Sequence, residues 1–269
     1  MGAEIAKAAL SEGYQVVATG RKLAAVSDAL GTTENLLPLA MDVTNPEQID
    51  AAVSEAISRF GRIDVLVNNA GYGHLGVFEE ASPKEIRDQF ETNVFGMMAV
   101  THAVLPHLRK QRAGRIFNIS SVAGLKGVFG ASLYNASKFA VEGFSQALAQ
   151  ECALFDVKVI SMSPGFFRTD FLDASSVKYA EKGIAEYAKP LADFLAFHEE
   201  RNHTQAGDPA KLAAVLLHLS KVENPPVSFV AGSDGVEWVE GAIREKQQQV
   251  EEWRELSAST DGDWTEEKK

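Results

Sequence analysis

Residues 120–144 read SSVAGLKGVFGASLYNASKFAVEGF and hold Tyr134 and Lys138 four positions apart. The spacing of apolar residues from Ala131 to Phe155 predicts a helix, and in a helix such a pair lies on one face, one turn apart. A lysine ammonium beside a phenol favours the phenolate and lowers the phenol pKa below its usual value of about 10. The pair therefore predicts a site that exchanges protons near neutral pH.

Ser121 stands just before this helix, at the end of the apolar run from Arg115 to Ser120, which predicts a buried strand. Its hydroxyl is of the type that hydrogen-bonds a carbonyl oxygen. Taken alone, Tyr134 and Lys138 also fit a solvent-exposed helix pair worth about 0.3 kcal/mol. Whether the pair is a proton-exchanging site or a solvent-exposed helix pair depends on the motifs in the rest of the chain.

Composition excludes several classes of function. A chain of 269 residues with 45% hydrophobic content can form one domain with a substantial core, and its net charge of −11 argues against nucleic acid as a partner. Cys152 is the only cysteine, so no intrachain disulfide is possible, and its apolar helix predicts a core position. The histidines have no metal-ligand spacing and no apolar run is long enough to span a bilayer. We expect no metal, no membrane span and a cytoplasmic location.

Strand and helix patterns alternate along the chain. Apolar, β-branched runs predict strands at 15–19, 36–41, 63–67, 115–120, 157–163 and 227–231, with helices between them. This alternation predicts a Rossmann-like α/β fold, a doubly wound parallel sheet with helices on both faces and ligands at the carboxyl ends of its strands. We expect one domain over residues 1–256. Residues 166–205 are expected to form a helical lid without strands, and residues 257–269 an acidic, disordered tail.

Two helix starts carry the pattern of a capping box, in which two residues three positions apart satisfy each other's backbone N–H groups. Asn45 and Gln48 flank Pro46 at the first, and Ser82 and Glu85 flank Pro83 at the second. Each pattern predicts a helix that begins at its proline, and the apolar periodicity after Pro83 predicts that the second helix continues to Leu108 and carries Asn93.

Several short motifs follow the predicted elements in a set order. They are Asp42-Val43, Asn68-Asn69-Ala70-Gly71, Asn93, Asn118-Ile119-Ser120-Ser121, Tyr134 with Lys138, and Pro164-Gly165 with Thr169. In this order and spacing the chain resembles the classical short-chain dehydrogenase/reductase family from about residue 2 to residue 231. The lid and the C-terminal part further resemble its hydroxysteroid-dehydrogenase-like branch.

The resemblance implies hydride transfer between a nicotinamide and a carbonyl or alcohol carbon. Tyr134 would then be the general acid in reduction and the base in oxidation, and Ser121 would hydrogen-bond the substrate oxygen. Lys138 would lower the Tyr134 pKa and hold the nicotinamide ribose. Asn93 would position a water that connects Lys138 to solvent, although its amide also fits a structural role in a distorted helical turn.

The residue after the second strand of such a fold selects the nucleotide. An acidic residue there accepts hydrogen bonds from the adenosine ribose, whereas an arginine pairs with a 2′-phosphate. Arg21 follows the strand at 15–19, so we expect NADP(H) rather than NAD(H). The other nucleotide positions that the resemblance implies are Asp42 and Val43 at the adenine, Asn69, Ala70 and Gly71 at the adenosine ribose, Pro164 and Gly165, and Phe167 and Thr169 at the carboxamide.

One part of the family pattern is missing. Family members begin with a strand and a glycine-rich turn that binds the pyrophosphate, and here Gly2 matches the last glycine of that turn. The missing strand would lie between the strands at 15–19 and 63–67, and its loss would leave two unpaired edges. Either Met1 is an internal methionine of a longer protein, which we favour, or the short form binds dinucleotide poorly.

The function expected from the sequence is NADP(H)-dependent interconversion of a ketone or aldehyde and an alcohol. The aromatic lid favours a hydrophobic substrate of steroid, terpenoid or polyketide type. An NAD-dependent alcohol dehydrogenase and a catalytically impaired, dimeric interaction protein are the alternatives. A sugar-nucleotide epimerase is disfavoured, because the sequence after Pro164 is short for its substrate domain. We expect a homodimer or homotetramer.

Overall fold

The computed structural model describes residues 1–173, 176–180 and 183–262. Its strands are β1 (Val16–Gly20), β2 (Leu36–Ala40), β3 (Val65–Asn68), β4 (Gly73–Leu75), β5 (Gly114–Ile119), β6 (Val157–Pro164), β7 (Val177–Tyr179) and β8 (Ser228–Ala231). Its helices are α1 (Gly2–Ser11), α2 (Leu23–Leu30), α3 (Pro46–Phe60), α4 (Pro83–Phe90), α5 (Met97–Gln111), α6 (Ser132–Ala153), α7 (Ala188–Arg201), α8 (Pro209–Lys221), α9 (Ser233–Glu252) and α10 (Arg254–Ala258). All six predicted strands are present.

The strands form a Rossmann-like parallel arrangement with helices on both faces, as predicted. β3, β5, β6 and β8 pair in that order, while β1 and β2 pair separately. Within the described residues β1 is hydrogen-bonded only to β2, and β3 only to β5, so each of these two strands has one unpaired edge. Unpaired edges on these two strands are predicted from the absence of the family's first strand.

The two faces of the central strands bury different residues because side chains alternate along a strand. Phe117 and Ile160 point to one face and pack with α1 and α8 through residues such as Leu216. Ile116 and Val159 point to the other face and pack with α5 and α6. Cys152 lies in this second cluster, as predicted, and burial raises the pKa of its thiol to about 11. The carboxyl ends of β5 and β6 are thereby held between two layers of helices.

The helix starts differ in detail from the predicted capping boxes. At α4 the box is complete, since Ser82 and Glu85 each accept a hydrogen bond from the other's backbone N–H. At α3 only half of it forms: Asn45 accepts from Gln48 N, but Gln48 Oε1 accepts from Asp42 N at 2.8 Å. Gln48 therefore orders the turn at the end of β2, where Asp42 was expected to bind the nucleotide.

Two other elements depart from the predicted pattern. The long helix expected over 83–108 is interrupted between α4 and α5 by a π-helical turn, Glu91–Gly96, which contains Asn93. The lid was expected to have no strand, but it contains β7, which pairs in parallel with β4. That prediction was wrong because a three-residue strand is stabilised by its partner strand and leaves little pattern of its own.

The C-terminal part consists of α9 and the short α10, which ends at Ala258. Residues 263–269 of the predicted acidic tail lie outside the described residues. None of the described helices combines the length and the apolarity that crossing a membrane requires.

Candidate active site

Tyr134 and Ser121 meet at the carboxyl end of β5. Ser121 follows this strand directly and caps a short helical turn by accepting a hydrogen bond from Ala123 N at 3.1 Å. Tyr134 lies in the first turn of α6, and the Ser121 side chain is close enough to its hydroxyl to act on the Tyr134 pKa. Two hydroxyl groups from different elements are therefore available to one acceptor atom, such as a carbonyl oxygen.

Lys138 lies one turn further along α6 and is buried. Its Nζ donates a hydrogen bond to Ile119 O at 2.8 Å and lies 5.7 Å from the centroid of the Tyr134 ring. Burial lowers the pKa of Lys138 to about 8, and the charge of Glu142 opposes that shift. The ammonium thus stands beneath the phenol, with its position set by a backbone carbonyl.

The electrostatics of Tyr134 differ from the expectation. We expected Lys138 to lower the Tyr134 pKa towards neutrality, but burial raises the pKa of Tyr134 to about 12, and only the hydrogen bond from Ser121 opposes this. Although part of the ring is exposed, the hydroxyl is surrounded by protein, and loss of solvation penalises the phenolate. At neutral pH Tyr134 is therefore a protonated donor.

Asn93 is fully engaged by its neighbours. Its Oδ1 accepts from Tyr72 N at 3.0 Å, and its Nδ2 donates to Tyr72 O at 2.9 Å and to Ser137 Oγ at 3.1 Å. The amide thus joins the π-helical turn to α6 and to the chain after β3, which is the structural role left open by the sequence. A Cβ on Gly71 would lie 3.2 Å from Asn93 Oδ1 and 3.8 Å from Lys138 Nζ.

The predicted adenosine-binding residues lie at neighbouring strand ends. Arg21 follows β1, is exposed, and lies close enough to Asp42 to help lower the pKa of that carboxyl, whose main stabilisation is two hydrogen bonds from Thr44. Val43 packs against the π-helical turn, where a Cβ on Gly96 would lie 2.7 Å from Val43 Cγ2. The ends of β1 and β2 therefore lie close to each other and to the π-helical turn that contains Asn93.

Asn69 and Ala70, the two middle residues of the motif Asn68-Asn69-Ala70-Gly71, are exposed. The Asn69 amide lies against the start of α1, where a Cβ on Gly2 would be 2.7 Å from Asn69 Nδ2. This motif therefore borders an open face of the molecule, next to the side of the sheet where β3 is unpaired.

The segment after β6 is held in place by a residue that the sequence analysis missed. Asp234, in the first turn of α9, accepts a hydrogen bond from Phe166 N at 2.7 Å, and a Cβ on Gly165 would lie 2.6 Å from its carboxylate. Phe167 forms a β-bridge with Gly207. Pro164 is buried, whereas Thr169 caps the turn that follows. A glycine at position 165 is required by this contact, and the resemblance of residues 232–235 to the hydroxysteroid-dehydrogenase-like branch was the one sequence signal near Asp234.

The lid brings an aromatic ring into contact with Tyr134. The ring of Phe171 lies 5.5 Å from that of Tyr134, and a Cβ on Gly73 would be 3.2 Å from Phe171 Cζ. Phe194 of the lid packs edge to face, at 6.2 Å, with Phe129, which lies just before α6. The sequence analysis placed Phe171 in the lid but did not predict its contact with Tyr134.

One group of possible metal ligands occurs among the described residues, although none was expected. Asp170, Asp173 and His203 bring ligand atoms within 4.8 Å of one another. Asp173 Oδ1 already accepts hydrogen bonds from Asn202 Nδ2 at 2.7 Å and from His203 Nε2 at 3.1 Å. Hydrogen bonding within the lid accounts for this cluster.

The comparisons with known proteins agree with this geometry. The family model described as short chain dehydrogenase matches residues 1–180. The chain belongs to the short-chain dehydrogenase family. Oxidoreductase BOA17 of Botryotinia fuckeliana is 36% identical to this short-chain dehydrogenase over 97% of the chain and 95% of the relative. The 3-ketodihydrosphingosine reductase of Bacteroides thetaiotaomicron is 40% identical over 82% of the chain and 80% of the relative.

Solved structures show the same fold. A short-chain dehydrogenase from Streptomyces avermitilis superposes with a TM-score of 0.88 at 35% identity, covering 96% of this chain and 94% of that one. ElxO with NADP bound has a TM-score of 0.68 at 26% identity and covers 84% and 90%. A 3-ketoacyl-(acyl-carrier-protein) reductase from Brucella melitensis, complexed with NADH, has a TM-score of 0.71 at 26% identity and covers 86% and 92%. The chain is therefore an oxidoreductase of this family.

The residues present suit a nicotinamide dinucleotide. A residue larger than Gly71 would enter the space beside the Lys138 ammonium, and glycine leaves this space open. Arg21 supplies a cation at the end of β1, and Asp42 supplies a hydrogen-bond acceptor at the end of β2. Lys138, Asn69 and Asp42 are hydroxyl- and amine-binding groups, whereas Arg21 suits a phosphate. This donor set fits the two riboses and the adenine of such a cofactor.

Proposed function

We propose that this short-chain dehydrogenase is an NADP(H)-dependent oxidoreductase that interconverts a ketone or aldehyde and an alcohol on a hydrophobic substrate. The observation that carries the proposal is the meeting of Tyr134 and Ser121 at the carboxyl end of β5, with the Lys138 ammonium 5.7 Å from the centroid of the Tyr134 ring. A nicotinamide, when bound, supplies or accepts the hydride.

The side chains of the protein supply the proton and the orientation. Ser121 and Tyr134 together bind the carbonyl oxygen, and Tyr134 is protonated at neutral pH, as a general acid for reduction must be. The charge on Lys138 favours the phenolate that remains after the proton has moved. The two hydroxyls and the ammonium thus stabilise negative charge where it develops on the substrate oxygen.

The preference for NADP(H) is argued from Arg21. This guanidinium is exposed at the end of β1, beside the Asp42 carboxylate, and it offers a bidentate site for a 2′-phosphate. Because ElxO is described with NADP and the Brucella reductase with NADH, either nucleotide is compatible with the fold. NAD-dependent activity is therefore the competing outcome of the test.

The substrate class is argued from the lid. Phe171 and Phe129 are apolar groups on segments that border Tyr134, so they favour a hydrophobic substrate of steroid, terpenoid or polyketide type. The relative from Bacteroides thetaiotaomicron is named for reduction of a 3-keto compound, which supports a ketone as the substrate. The resemblance of the lid to the hydroxysteroid-dehydrogenase-like branch also favours a substrate of steroid type.

We also propose a homodimer or homotetramer that pairs through α5 and α6. Their outer faces form a groove of about 400 Å³ with a mainly apolar lining, which includes Met98, Leu105 and Phe144. Light scattering on the purified protein tests this assembly, and a monomer at micromolar concentration contradicts it.

The test of the main proposal is nucleotide binding followed by turnover. Titration of NADPH and of NADH into the purified protein, read by nicotinamide fluorescence, gives both dissociation constants. A panel of hydrophobic ketones is then assayed with the preferred nucleotide, with Tyr134→Phe as the inactive control. Tighter binding of NADPH with Tyr134-dependent reduction supports the proposal. Binding of neither nucleotide supports the catalytically impaired interaction protein.

A further inference from the structure

The second half of α9 is exposed to solvent on all sides. The first half is held by the protein, since Gly235 is buried and Lys126 Nζ lies 5.1 Å from the centroid of the Trp238 ring. An ion pair between Glu245 and Lys126, at 2.6 Å, attaches the start of the second half. Every residue from 243 to 260 is exposed. Because helices in proteins are stabilised mainly by packing of an apolar face, this half of α9 gains stability from a partner surface.

One side of α9 carries apolar residues at intervals of seven. Val236, Ile243 and Val250 are 44%, 60% and 51% exposed. Val239, which is half-buried at the border with the protein body, and the exposed Trp253 follow Val236 and Val250 by three residues. With the lysine between them these positions form the heptad stripe, which consists of Val236, Val239, Ile243, Lys246, Val250 and Trp253. A repeat of seven residues with this spacing is typical of a helix that pairs in a coiled coil.

The charge of this helix narrows the choice of partner. Between residues 233 and 258 acidic side chains outnumber basic ones by seven to three. Helices that bind anionic lipid surfaces are rich in Lys and Arg on their polar face, and nucleic acid also requires clustered basic residues. The heptad stripe therefore favours another helix over either of these partners.

The heptad stripe is complementary to itself when two copies run antiparallel. In an antiparallel coiled coil the first and fourth positions of the repeat face each other across the seam. Val236 then lies opposite Trp253 of the second copy, and Val239 lies opposite Val250 of the second copy. Because such a pairing is two-fold symmetric, each of these apolar layers occurs twice.

The charged residues distinguish the antiparallel from the parallel arrangement. In a parallel pair Lys246 would face Lys246 of the second copy, whereas the antiparallel register places it opposite Ile243. Helical side chains point towards the N-terminus of their own helix, so the antiparallel register also brings Arg254 towards Glu240 of the second copy. The antiparallel pair therefore has opposite charges on its flank in place of like charges in its seam.

We propose that the heptad stripe of α9 is a self-association surface on which two copies of this chain form an antiparallel coiled coil. This surface is separate from the groove between α5 and α6, and two different two-fold interfaces on one chain build a tetramer. The proposal concerns assembly alone and is independent of the reaction that the enzyme catalyses.

Light scattering on the full chain tests the surface. Ile243→Asn removes the central apolar residue of the heptad stripe, and Leu23→Asn removes an exposed apolar residue of α2 as the matched control. Both positions are exposed, and circular dichroism confirms that each variant is folded. We expect Ile243→Asn to halve the mass of the assembly, from tetramer to dimer or from dimer to monomer, and Leu23→Asn to leave it unchanged. A mass that Ile243→Asn does not change assigns the stripe to another partner and overturns the proposal.

Cysteine crosslinking tests the register. Val239→Cys combined with Val250→Cys should give disulfide-linked dimers under mild oxidation, because the two positions face each other between copies. Val250→Cys alone is the control, since its two copies lie about 16 Å apart in the antiparallel register, beyond the reach of a disulfide. The native Cys152 is buried and does not interfere. Absence of linked dimers from the double variant overturns the proposal, and linked dimers from Val250→Cys alone overturn it in favour of a parallel pair.

Discussion

The ring of Phe171 lies 5.5 Å from the ring of Tyr134, centroid to centroid, and brings the lid into contact with this phenol. Thr169 caps the turn after β6 that contains Phe171, so the contact links the end of β6 to the start of α6. A lid residue therefore packs against the ring whose hydroxyl is proposed to bind the substrate oxygen.

Replacing Phe171 by alanine should change both the pKa of Tyr134 and the KM of an apolar substrate. Burial is the main cause of the raised Tyr134 pKa, so opening the lid should lower this pKa from about 12 towards about 10. The KM of an apolar ketone should rise about tenfold through lost apolar contact. Phenolate absorbance, with Tyr134→Phe subtracted in each background, measures the pKa. An unaltered pKa would show that Phe171 does not control the solvation of Tyr134.

Removing the Tyr134 hydroxyl should abolish chemistry and spare binding. Tyr134→Phe keeps the ring and its packing on Phe171 but has no proton to transfer, so kcat should fall on the order of 100-fold to 10,000-fold. The NADPH dissociation constant should stay within about threefold of wild type. Steady-state kinetics and fluorescence titration provide the two readouts. Equal losses in both would assign a structural role to this tyrosine.

Reversing the charge of Arg21 should reverse nucleotide preference. Arg21→Asp should weaken NADPH binding about tenfold to a hundredfold, through loss of charge-assisted hydrogen bonds to the 2′-phosphate, and leave NADH nearly unaffected. Lys22→Asp makes the same charge change at the next residue, which is also exposed, and serves as the matched control. The assignment of Arg21 fails if the two variants change the NADPH-to-NADH ratio equally.

Asn93→Ala should mainly destabilise the protein. The variant removes the amide that is hydrogen-bonded to the Tyr72 N–H, the Tyr72 carbonyl and Ser137 Oγ. This loss should lower the free energy of unfolding by about 3 kcal/mol. Urea unfolding measures this loss of stability, and steady-state kinetics on the folded fraction measure any loss of turnover. Full stability combined with lost turnover would favour the water-positioning role that the family resemblance implies.

Lys138 should make stability depend on pH in a defined direction. Its folded pKa of about 8 is below the ordinary 10.5, so the unfolded chain binds the proton more tightly. The stability of wild type should therefore rise with pH above about 8 and decrease as pH falls towards that value. Relative to Lys138→Met, wild type should gain on the order of 2 kcal/mol between about pH 7.5 and about pH 10. Urea unfolding of both proteins at the two pH values checks this, and a constant difference would contradict the shifted pKa.

Much of the fold could be predicted because its strands are buried on both faces and its helices on one, which leaves clear periodic patterns. The π-helical turn at Glu91–Gly96, the strand β7 and the diverted capping contact of Gln48 could not be predicted. Each depends on a partner distant in the sequence or on a local distortion that such a partner stabilises.

The sequence by itself determined the family, the alternation of strands and helices, and the residue types of the site, because spacing along a helix or strand specifies which side chains share a face. Only the tertiary structure decided what surrounds those side chains. Burial raises the Tyr134 pKa and lowers that of Lys138, Asn93 is hydrogen-bonded to the Tyr72 backbone, and Glu142 accepts hydrogen bonds from two serines of β6. Solvation and charge depend on neighbours from several elements, and those neighbours are brought together only by folding.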